Sequence, residues 1–122
     1  PYAGQREEIF AQWKQDIAAL AECRNVYAKL GGLVMPINGF GFHKQDTPPT
    51  SDGIVAATAR YYRHAIECFG AERCMFESNF PVDKQSCSYP VLWNAFKKLV
   101  ADASDTEKQW LFNDSACAAY RI

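Results

Sequence analysis

The chain has 122 residues and a formal net charge of −1, and 48% of its residues are hydrophobic. This globular composition excludes a disordered chain, and the length allows one domain over residues 1–122 with a modest core. The scattered lysines and arginines exclude the basic stripe that nucleic acids require, and no apolar run approaches the roughly 18 residues that cross a bilayer.

The first half of the chain predicts a helix, a strand and a long loop. Apolar residues at helical spacing predict a helix over residues 6–23. Residues 25–30 predict a short strand that ends at Gly31-Gly32. Residues 33–50 follow as a loop rich in glycine and proline, and loops of this length in a compact domain are often functional.

A second helix and a second strand come next. Either Thr50 or Ser51 caps the helix, which is predicted over residues 52–69. Residues 73–79 predict the second strand. The helix residues that we expect to face the core are Ile54, Ala57, Tyr61, Ala65 and Phe69.

The rest of the chain is predicted to be helical. A third helix covers residues 89–101, with Ser88 as its cap. Ser104 and Glu107 have the spacing of a capping box, which opens a short fourth helix. A last turn over residues 115–120 closes the chain.

The order of these elements predicts an α/β fold. Helix, strand, helix, strand and then helices imply two parallel strands joined by a right-handed crossover. Parallel sheets normally have many strands and helices on both faces. Two parallel strands make a poor sheet by themselves, so we expect neighbouring strands to lie outside this chain.

The cysteines indicate the redox environment. Their number, five, is odd, and no two have the C-x-x-C spacing of a zinc or redox site. Cys68, Cys74 and Cys117 lie in apolar stretches of the sequence. We expect reduced and mostly buried thiols rather than a disulfide framework, and this favours a cytoplasmic location.

Three segments carry a resemblance to a known family. Residues 72–83 have the sequence Glu-Arg-Cys-Met-Phe-Glu-Ser-Asn-Phe-Pro-Val-Asp. This is similar to the last-strand signature of the amidohydrolase-related (amidohydrolase 2) metal-dependent hydrolases, an apolar strand ending in Gly-Ser-Asp, then an aromatic residue, then Pro. Residues 25–33 resemble the preceding strand of that family, and residues 112–121 resemble its final helix. The three matches come in order and cover nearly the whole chain.

The resemblance implies that this chain is the C-terminal part of a (β/α)8 TIM barrel. The chain would supply the sixth helix, the seventh and eighth strands with their helices, and the tail. Enzymes of the family cleave small lactones, amides or carboxylic-acid substrates. Their histidine metal ligands would lie upstream, so we expect no metal and no other cofactor in this chain, whereas the resemblance allows a divalent metal, zinc, in the full-length protein.

Two residues at the end of the second strand are the catalytic candidates. Asn79 stands where the family has an Asp that binds metal or takes the proton from the attacking water. A neutral amide cannot be a general base and is a weaker metal ligand, and the alternative for Asn79 is a turn residue. Side chains alternate along a strand, so Glu77 points to the same side as Asn79. Glu77 either supplies the missing carboxylate or forms a structural ion pair with Lys29.

Lys29 and His43 are the substrate-binding candidates. Lys29 matches a lysine in the preceding strand of the family and either holds a substrate carboxylate or extends to the strand end. His43 lies in a glycine-rich loop on the side where barrel enzymes have their sites, and it either binds substrate or is simply solvated. The two phenylalanines of that loop either wall a pocket or pack the loop down. Asp83 and Lys84 either rim the site or cap the next turn.

The leading hypothesis is a fragment of a hydrolase whose parent uses water to cleave a C–O or C–N bond of a small acidic substrate. Lys29 and His43 would contact this substrate, and Glu77 or Asn79 would orient the water. The fragment alone is predicted to be inactive. The alternative is a non-catalytic partial barrel that binds a partner or small molecule and covers its strands by self-association, as a homo-oligomer. Neither hypothesis involves nucleic acid or a membrane.

Overall fold

The computed structural model describes residues 4–122, and within that range the chain forms five α-helices and two β-strands. These elements are α1 Arg6–Ala21, β1 Ala28–Leu30, α2 Ser51–Phe69, β2 Cys74–Phe76, α3 Tyr89–Leu99, α4 Asp105–Gln109 and α5 Ser115–Tyr120. A π-helical stretch, Trp110–Asp114, joins α4 to α5, so the predicted fourth helix and last turn are one helical path. None of the described helices is long and apolar enough to cross a membrane.

The two strands pair in parallel, with Ala28 opposite Cys74 and Leu30 opposite Phe76. α2 makes the crossover between them, so the parallel pairing predicted from the element order is confirmed. Both strands are shorter than the sequence predicts. β2 ends at Phe76, and its predicted extension to residue 79 is excluded because Asn79 adopts a left-handed conformation with φ 52° rather than an extended one.

The start of β1 is held by one side chain, Arg73. Its guanidinium group donates hydrogen bonds to the carbonyl oxygens of Ala21 at 2.9 Å, Cys23 at 3.1 Å and Val26 at 3.3 Å. These carbonyl groups lie at the end of α1 and in its connection to β1. A turn tied to Arg73 therefore takes the place of the first residues of the predicted strand.

α2 packs with two sides rather than one. Its buried residues are Ile54, Thr58, Tyr62, Ala65 and Phe69. Tyr61, predicted for the core, instead packs on α1 at ring-centroid distances of 4.8 Å from Phe10 and 5.2 Å from Trp13. Ala57, also predicted for the core, is half-buried. The prediction is wrong at Tyr61, because the sequence does not show that α1 covers a second side of this helix, whereas Ala57 packs against the core.

The core between the sheet, α2 and α3 is built from aromatic rings. Phe76 of β2 stacks on Phe96 of α3 with ring centroids 4.6 Å apart. Tyr62 of α2 meets both rings edge-on, at 6.3 Å and 5.7 Å, and Phe112 lies 5.0 Å from Phe76. Ring packing of this kind adds to the free energy gained by burial, so the cluster fixes β2 and the residues that follow it.

Two helix starts differ in whether a side chain caps them. At α4, the Ser104 hydroxyl accepts a hydrogen bond from the Glu107 N–H at 3.2 Å and the Glu107 carboxylate accepts one from the Ser104 N–H at 2.8 Å, which confirms the predicted capping box. At α3, Ser88 is the N-cap residue, but its side chain makes no capping hydrogen bond.

We expect Ser104→Ala to lower the free energy of unfolding by about 1 kcal/mol in a urea titration. Ser88→Ala is the matched control, and an equal loss in both variants would contradict this prediction.

All five cysteines are free thiols. Cys74 and Cys87 are buried, Cys68 and Cys117 are half-buried, and Cys23 is exposed. Burial raises the pKa of Cys74 to about 12 and that of Cys87 to about 11. The expectation of mostly buried thiols therefore holds for two of the five.

Candidate functional site

The carboxyl ends of β1 and β2 lie side by side, because the strands are parallel and paired along their length. β1 runs into Gly31 and Gly32, and β2 runs into Glu77 and Asn79. Binding and catalytic groups of α/β folds are found at this edge of the sheet. A β-carbon at Gly31 would overlap Cγ of Glu77 and lie 2.5 Å from its carbonyl oxygen. The glycine predicted as a strand terminator therefore also lets the two strand ends come into contact.

Lys29 and Glu77 form an ion pair at this edge, with Nζ and Oε2 2.6 Å apart. Their strand neighbours Leu30 and Phe76 are buried in the core, so the pair lies on the opposite face of the sheet. The pairing that strand alternation suggested is thus present, and both side chains remain partly exposed, at 50% and 31%. The hydrogen bond and the charge of Glu77 raise the pKa of Lys29, with a smaller contribution from Tyr120.

Asn79 is held by Asp83, four residues further along the chain. Nδ2 of Asn79 donates a hydrogen bond to Oδ1 of Asp83 at 2.8 Å, and the backbone N–H of Asp83 donates one to the carbonyl oxygen of Asn79 at 3.2 Å. Asparagine tolerates the left-handed conformation of this position better than most residues do. Oδ1 of Asn79 makes no hydrogen bond with a residue in the range 4–122. Asn79 is therefore a turn residue whose side-chain oxygen stays available.

Asp83 is fully buried, whereas the sequence suggested that it either rims the site or caps the next turn. Burial raises the pKa of its carboxyl group, hydrogen bonds from Asn79 and the Gly32 N–H act in the opposite direction, and the charge of Glu77 raises the pKa further. Its Oδ2 is buried and has no hydrogen-bond partner among the described residues. The available sequence signal was the Asn and Asp four residues apart around a proline, a spacing that allows contact across one turn.

The raised pKa of Asp83 predicts a pH-dependent stability. A carboxyl group with a higher pKa in the folded state binds its proton more tightly when folded. The stability that it contributes is fully present below its unfolded pKa and is lost as the pH rises through the raised, folded pKa. We therefore expect wild-type protein to lose stability relative to Asp83→Asn as the pH rises from below 3.8, the ordinary pKa of an aspartate, through the raised pKa of Asp83, measured by urea denaturation.

Asp114 provides a control of opposite sign. Hydrogen bonds from Asn113 and Gln109 lower the pKa of this exposed carboxyl group. Its contribution to stability is present above the unfolded pKa and is lost as the pH falls through the lowered pKa. Identical pH profiles for wild type, Asp83→Asn and Asp114→Asn would contradict the prediction for Asp83.

His43 is exposed on a 3₁₀ turn, Phe42–Lys44, in the loop that follows β1. In the described part of the chain it makes no hydrogen bond or ion pair with Lys29, Glu77 or Asn79. The structure therefore joins Lys29 to Glu77 and places Asn79 on the same strand end, but it does not join His43 to them. Substrate binding by His43 stays a prediction.

The two phenylalanines of this loop pack it against the helices. Phe40 stacks on Phe42 at 5.9 Å and meets Tyr61 edge-on at 6.2 Å, while the Arg6 guanidinium group lies 4.1 Å from the centre of the Phe40 ring. Phe42 is buried. Phe40 also lines a cavity of about 200 Å³ with Arg6 and Trp13, between the loop and α1. Packing is therefore the role seen for Phe42, and Phe40 combines packing with lining a cavity.

Tyr62 is a buried residue that sequence reasoning missed. Burial raises the pKa of its hydroxyl group, a hydrogen bond from the Leu33 N–H lowers it, and the charges of Asp83 and Glu77 raise it further. The hydroxyl group therefore links α2 to the first residues of the loop after β1. Tyr61 and Tyr62 both fit a helical spacing, so periodicity alone does not decide which of them is buried.

The polar residues of this edge do not make a metal site by themselves. Within residues 4–122, no group of three or more His, Cys, Asp or Glu residues is arranged to hold a metal ion. Asn79 offers a neutral oxygen. One carboxylate oxygen of Asp83 accepts a hydrogen bond from Asn79, and the other is buried. Catalytic zinc takes histidine and carboxylate or thiolate ligands. The donors present in this range therefore do not fit a complete metal centre.

A parallel strand–helix–strand unit defines an α/β protein, and in this chain charged and amide side chains lie at the carboxyl edge of the sheet. The family model described as Amidohydrolase matches residues 2–122, and this chain belongs to that family. The resemblance read from the three sequence segments is thus confirmed. A relative with 37% identity over 113 residues is the uncharacterized protein y4mH of Sinorhizobium fredii (strain NBRC 101917 / NGR234). That match covers 93% of this chain and 34% of y4mH, so the chain spans about a third of the length of this relative.

Two crystal structures of an amidohydrolase from Burkholderia multivorans share the fold of this chain. One, with bound zinc, has a TM-score of 0.79 at 23% identity and is matched over 92% of this chain and 37% of its own. The other, with bound HEPES, has a TM-score of 0.83 at 21% identity and is matched over 99% of this chain and 40% of its own. At these identities the likeness concerns the fold alone.

Proposed function

We propose that this chain is the C-terminal part of a (β/α)8 TIM-barrel hydrolase. The full-length protein would use water to cleave a C–O or C–N bond of a small acidic substrate, a lactone or an amide. The observation that carries this proposal is the placement of Lys29, Glu77 and Asn79 at the carboxyl ends of two parallel strands. This edge is where TIM-barrel enzymes bind and convert their substrates. Membership of the amidohydrolase family supports the hydrolytic reaction.

The unpaired edges of the sheet favour the proposal that this chain is part of a larger barrel. In residues 4–122 the sheet consists of β1 and β2, so each strand is paired on one side. Parallel sheets are normally buried among many strands. The two matched crystal structures extend well beyond the region that this chain covers. Strands from the rest of a barrel would form backbone hydrogen bonds with the unpaired edges of β1 and β2. They would also cover the face that carries Lys29 and Glu77.

Lys29 is proposed to bind the acidic group of the substrate. Its ammonium group has three N–H donors, and the ion pair with Glu77 occupies one of them. The remaining donors can bond a carboxylate, and the partial exposure of the side chain leaves them reachable. His43, exposed in the loop after β1, is proposed to contact the bound substrate.

Glu77 and Asn79 are proposed to orient the attacking water. Both offer an oxygen that accepts a hydrogen bond from water, but a neutral amide cannot remove its proton. Glu77 is therefore the member of the pair that can act as a base. The water oxygen bonds to the carbonyl carbon, the C–O or C–N bond breaks, and the leaving group takes up the proton. A zinc ion in the full-length protein would need ligands from outside this chain, since the donors here do not fit one.

The test compares this chain with a full-length protein that contains it. We expect the 122-residue chain to show no hydrolysis of carboxylate-bearing lactones and amides. We expect the full-length protein to hydrolyse at least one of them, and assays with and without chelator establish whether it needs a metal. Hydrolysis by the short chain would overturn the predicted inactivity, and inactivity of the full-length protein across the panel would overturn the hydrolase proposal.

A substitution at Lys29 tests the substrate class in the full-length protein. Lys29→Met should raise KM for a carboxylate-bearing substrate about 10- to 100-fold, the loss expected for one charge-assisted hydrogen bond. KM for a neutral analogue should change little. Lys97→Met, which removes an exposed lysine of α3, is the matched control. A KM that rises equally for acidic and neutral substrates would contradict the proposed role.

A second candidate is a non-catalytic partial barrel that self-associates. The free edges of β1 and β2 favour it, because unpaired strand edges pair readily with other chains. Light scattering of the isolated chain separates the two cases. A folded homo-oligomer would support the self-associating module, whereas a well-folded monomer would argue against it.

A further inference from the structure

A carboxylate lies directly behind the position where this chain departs from its family. The last-strand signature has an Asp at the position of Asn79, but the nearby carboxylate of this chain, Asp83, belongs to the next turn. The two side chains are in hydrogen-bond contact at 2.8 Å. The carboxyl group nearest to position 79 therefore lies in the interior of the turn, and position 79 itself carries a neutral amide.

The contacts of Asn79 fix which way its amide group faces. A carboxylate accepts hydrogen bonds and donates none, so Asn79 turns its NH₂ group toward Asp83. Gly32 packs on the same amide, because a β-carbon built there would lie 3.4 Å from Nδ2 and 3.7 Å from Cγ. Asp83 is itself immobilised, since it is fully buried and its backbone N–H bonds back to Asn79.

Oδ1 is the polar side-chain atom of Asn79 that has no hydrogen-bond partner within residues 4–122. Asn79 is half-buried. The fully buried side-chain polar atoms that lack a hydrogen-bond partner in the described residues do not include its Oδ1. With the NH₂ group committed to Asp83, Oδ1 is the side-chain atom that can meet a ligand. It accepts a hydrogen bond but carries no charge.

We propose that Asp83 is a positioning residue that fixes the Asn79 amide with Nδ2 turned to the interior and Oδ1 turned to the strand ends. The site then presents a neutral hydrogen-bond acceptor where a carboxylate would otherwise stand. The role of this acceptor rests on the proposed function. A neutral amide at position 79 does not repel an anionic substrate as a carboxylate would, and its oxygen can accept a hydrogen bond from an N–H or O–H group of the substrate or from water. The positioning itself does not depend on any hydrolytic activity.

NMR of the Asn79 side-chain amide in the 122-residue chain tests the positioning. We expect its hydrogen exchange with solvent to be at least about tenfold slower than that of Asn94, an exposed asparagine of α3. Asp83→Ala should raise the Asn79 rate to that of Asn94. Asp83→Asn, whose carbonyl group still accepts, should keep it slow, and Asp114→Ala should leave it unchanged. Because no substrate is used, failure here is distinct from failure of the hydrolase proposal.

A double-mutant cycle gives a second readout. Asn79→Asp places two carboxyl groups in contact and should lower the urea midpoint of unfolding. In the swapped variant Asn79→Asp/Asp83→Asn, the new amide can donate to the new carboxylate, and most of the midpoint should return.

Two results would overturn the inference. One is a wild-type Asn79 amide that exchanges as fast as Asn94 in folded protein, a measurement that needs no variant. The other is an Asn79→Asp loss that is equally large with Asp83 and with Asp83→Asn.

Discussion

Replacing Gly31 by alanine is expected to lower the free energy of unfolding by about 3 kcal/mol, at the upper end for an overpacked site. The added β-carbon would overlap Cγ of Glu77 and lie 2.5 Å from its carbonyl oxygen and 3.2 Å from its carbonyl carbon. A side-chain atom can rotate away, but the carbonyl group belongs to the backbone, whose N–H bonds to the Leu30 carbonyl at 3.3 Å. Relief therefore requires the strand ends to separate, and this would also strain the ion pair of Glu77 with Lys29.

Gly53→Ala is the matched control for this substitution. Gly53 lies in the first turn of α2, and an added β-carbon there would lie 3.5 Å from Oγ1 of Thr50, an ordinary contact. Alanine is the better helix former, so this variant should gain up to about 1 kcal/mol. Urea denaturation of both variants gives the comparison. A Gly31→Ala variant as stable as wild type would mean that the strand ends are not in close contact in solution.

The order of elements could be predicted from the sequence because each helix carries its own periodicity and its own end signal. The parallel pairing then followed from the strand–helix–strand order. The strand lengths could not be predicted, since they depend on contacts between distant residues. Arg73 bonds the carbonyl groups before β1, and the left-handed conformation of Asn79 keeps residue 79 out of β2. The burial of Tyr62 rather than Tyr61 likewise depends on where α1 packs.

The candidate site was predictable where it depends on the sheet and unpredictable where it depends on the turn. Lys29 and Glu77 could be paired in advance because neighbouring parallel strands place alternating side chains on one face. The burial of Asp83 requires the chain after β2 to fold back under Asn79, and no local pattern shows that. His43 illustrates the limit of motif reasoning, since its place in a glycine-rich loop did not determine its contacts.

Truncation of Phe96 should cause the largest loss of stability in this chain. The ring is 1% exposed and contacts Phe76 at 4.6 Å, Tyr62 at 5.7 Å and Trp93 at 5.5 Å. Phe96→Ala removes buried apolar surface and leaves a cavity between rings that are fixed from three elements. We expect the free energy of unfolding to fall by about 3–5 kcal/mol in a urea titration.

Tyr89→Ala, on the same helix, separates burial from the loss of an aromatic ring. Tyr89 is 49% exposed and packs edge-on against Phe80 at 5.2 Å, so its truncation should cost about 1 kcal/mol. Phe76 is the residue immediately before Glu77, and Phe96 is the ring stacked on it. Loss of Phe96 should therefore also loosen the strand end and weaken the Lys29–Glu77 pair. Equal losses in Phe96→Ala and Tyr89→Ala would contradict the prediction that this ring cluster holds β2.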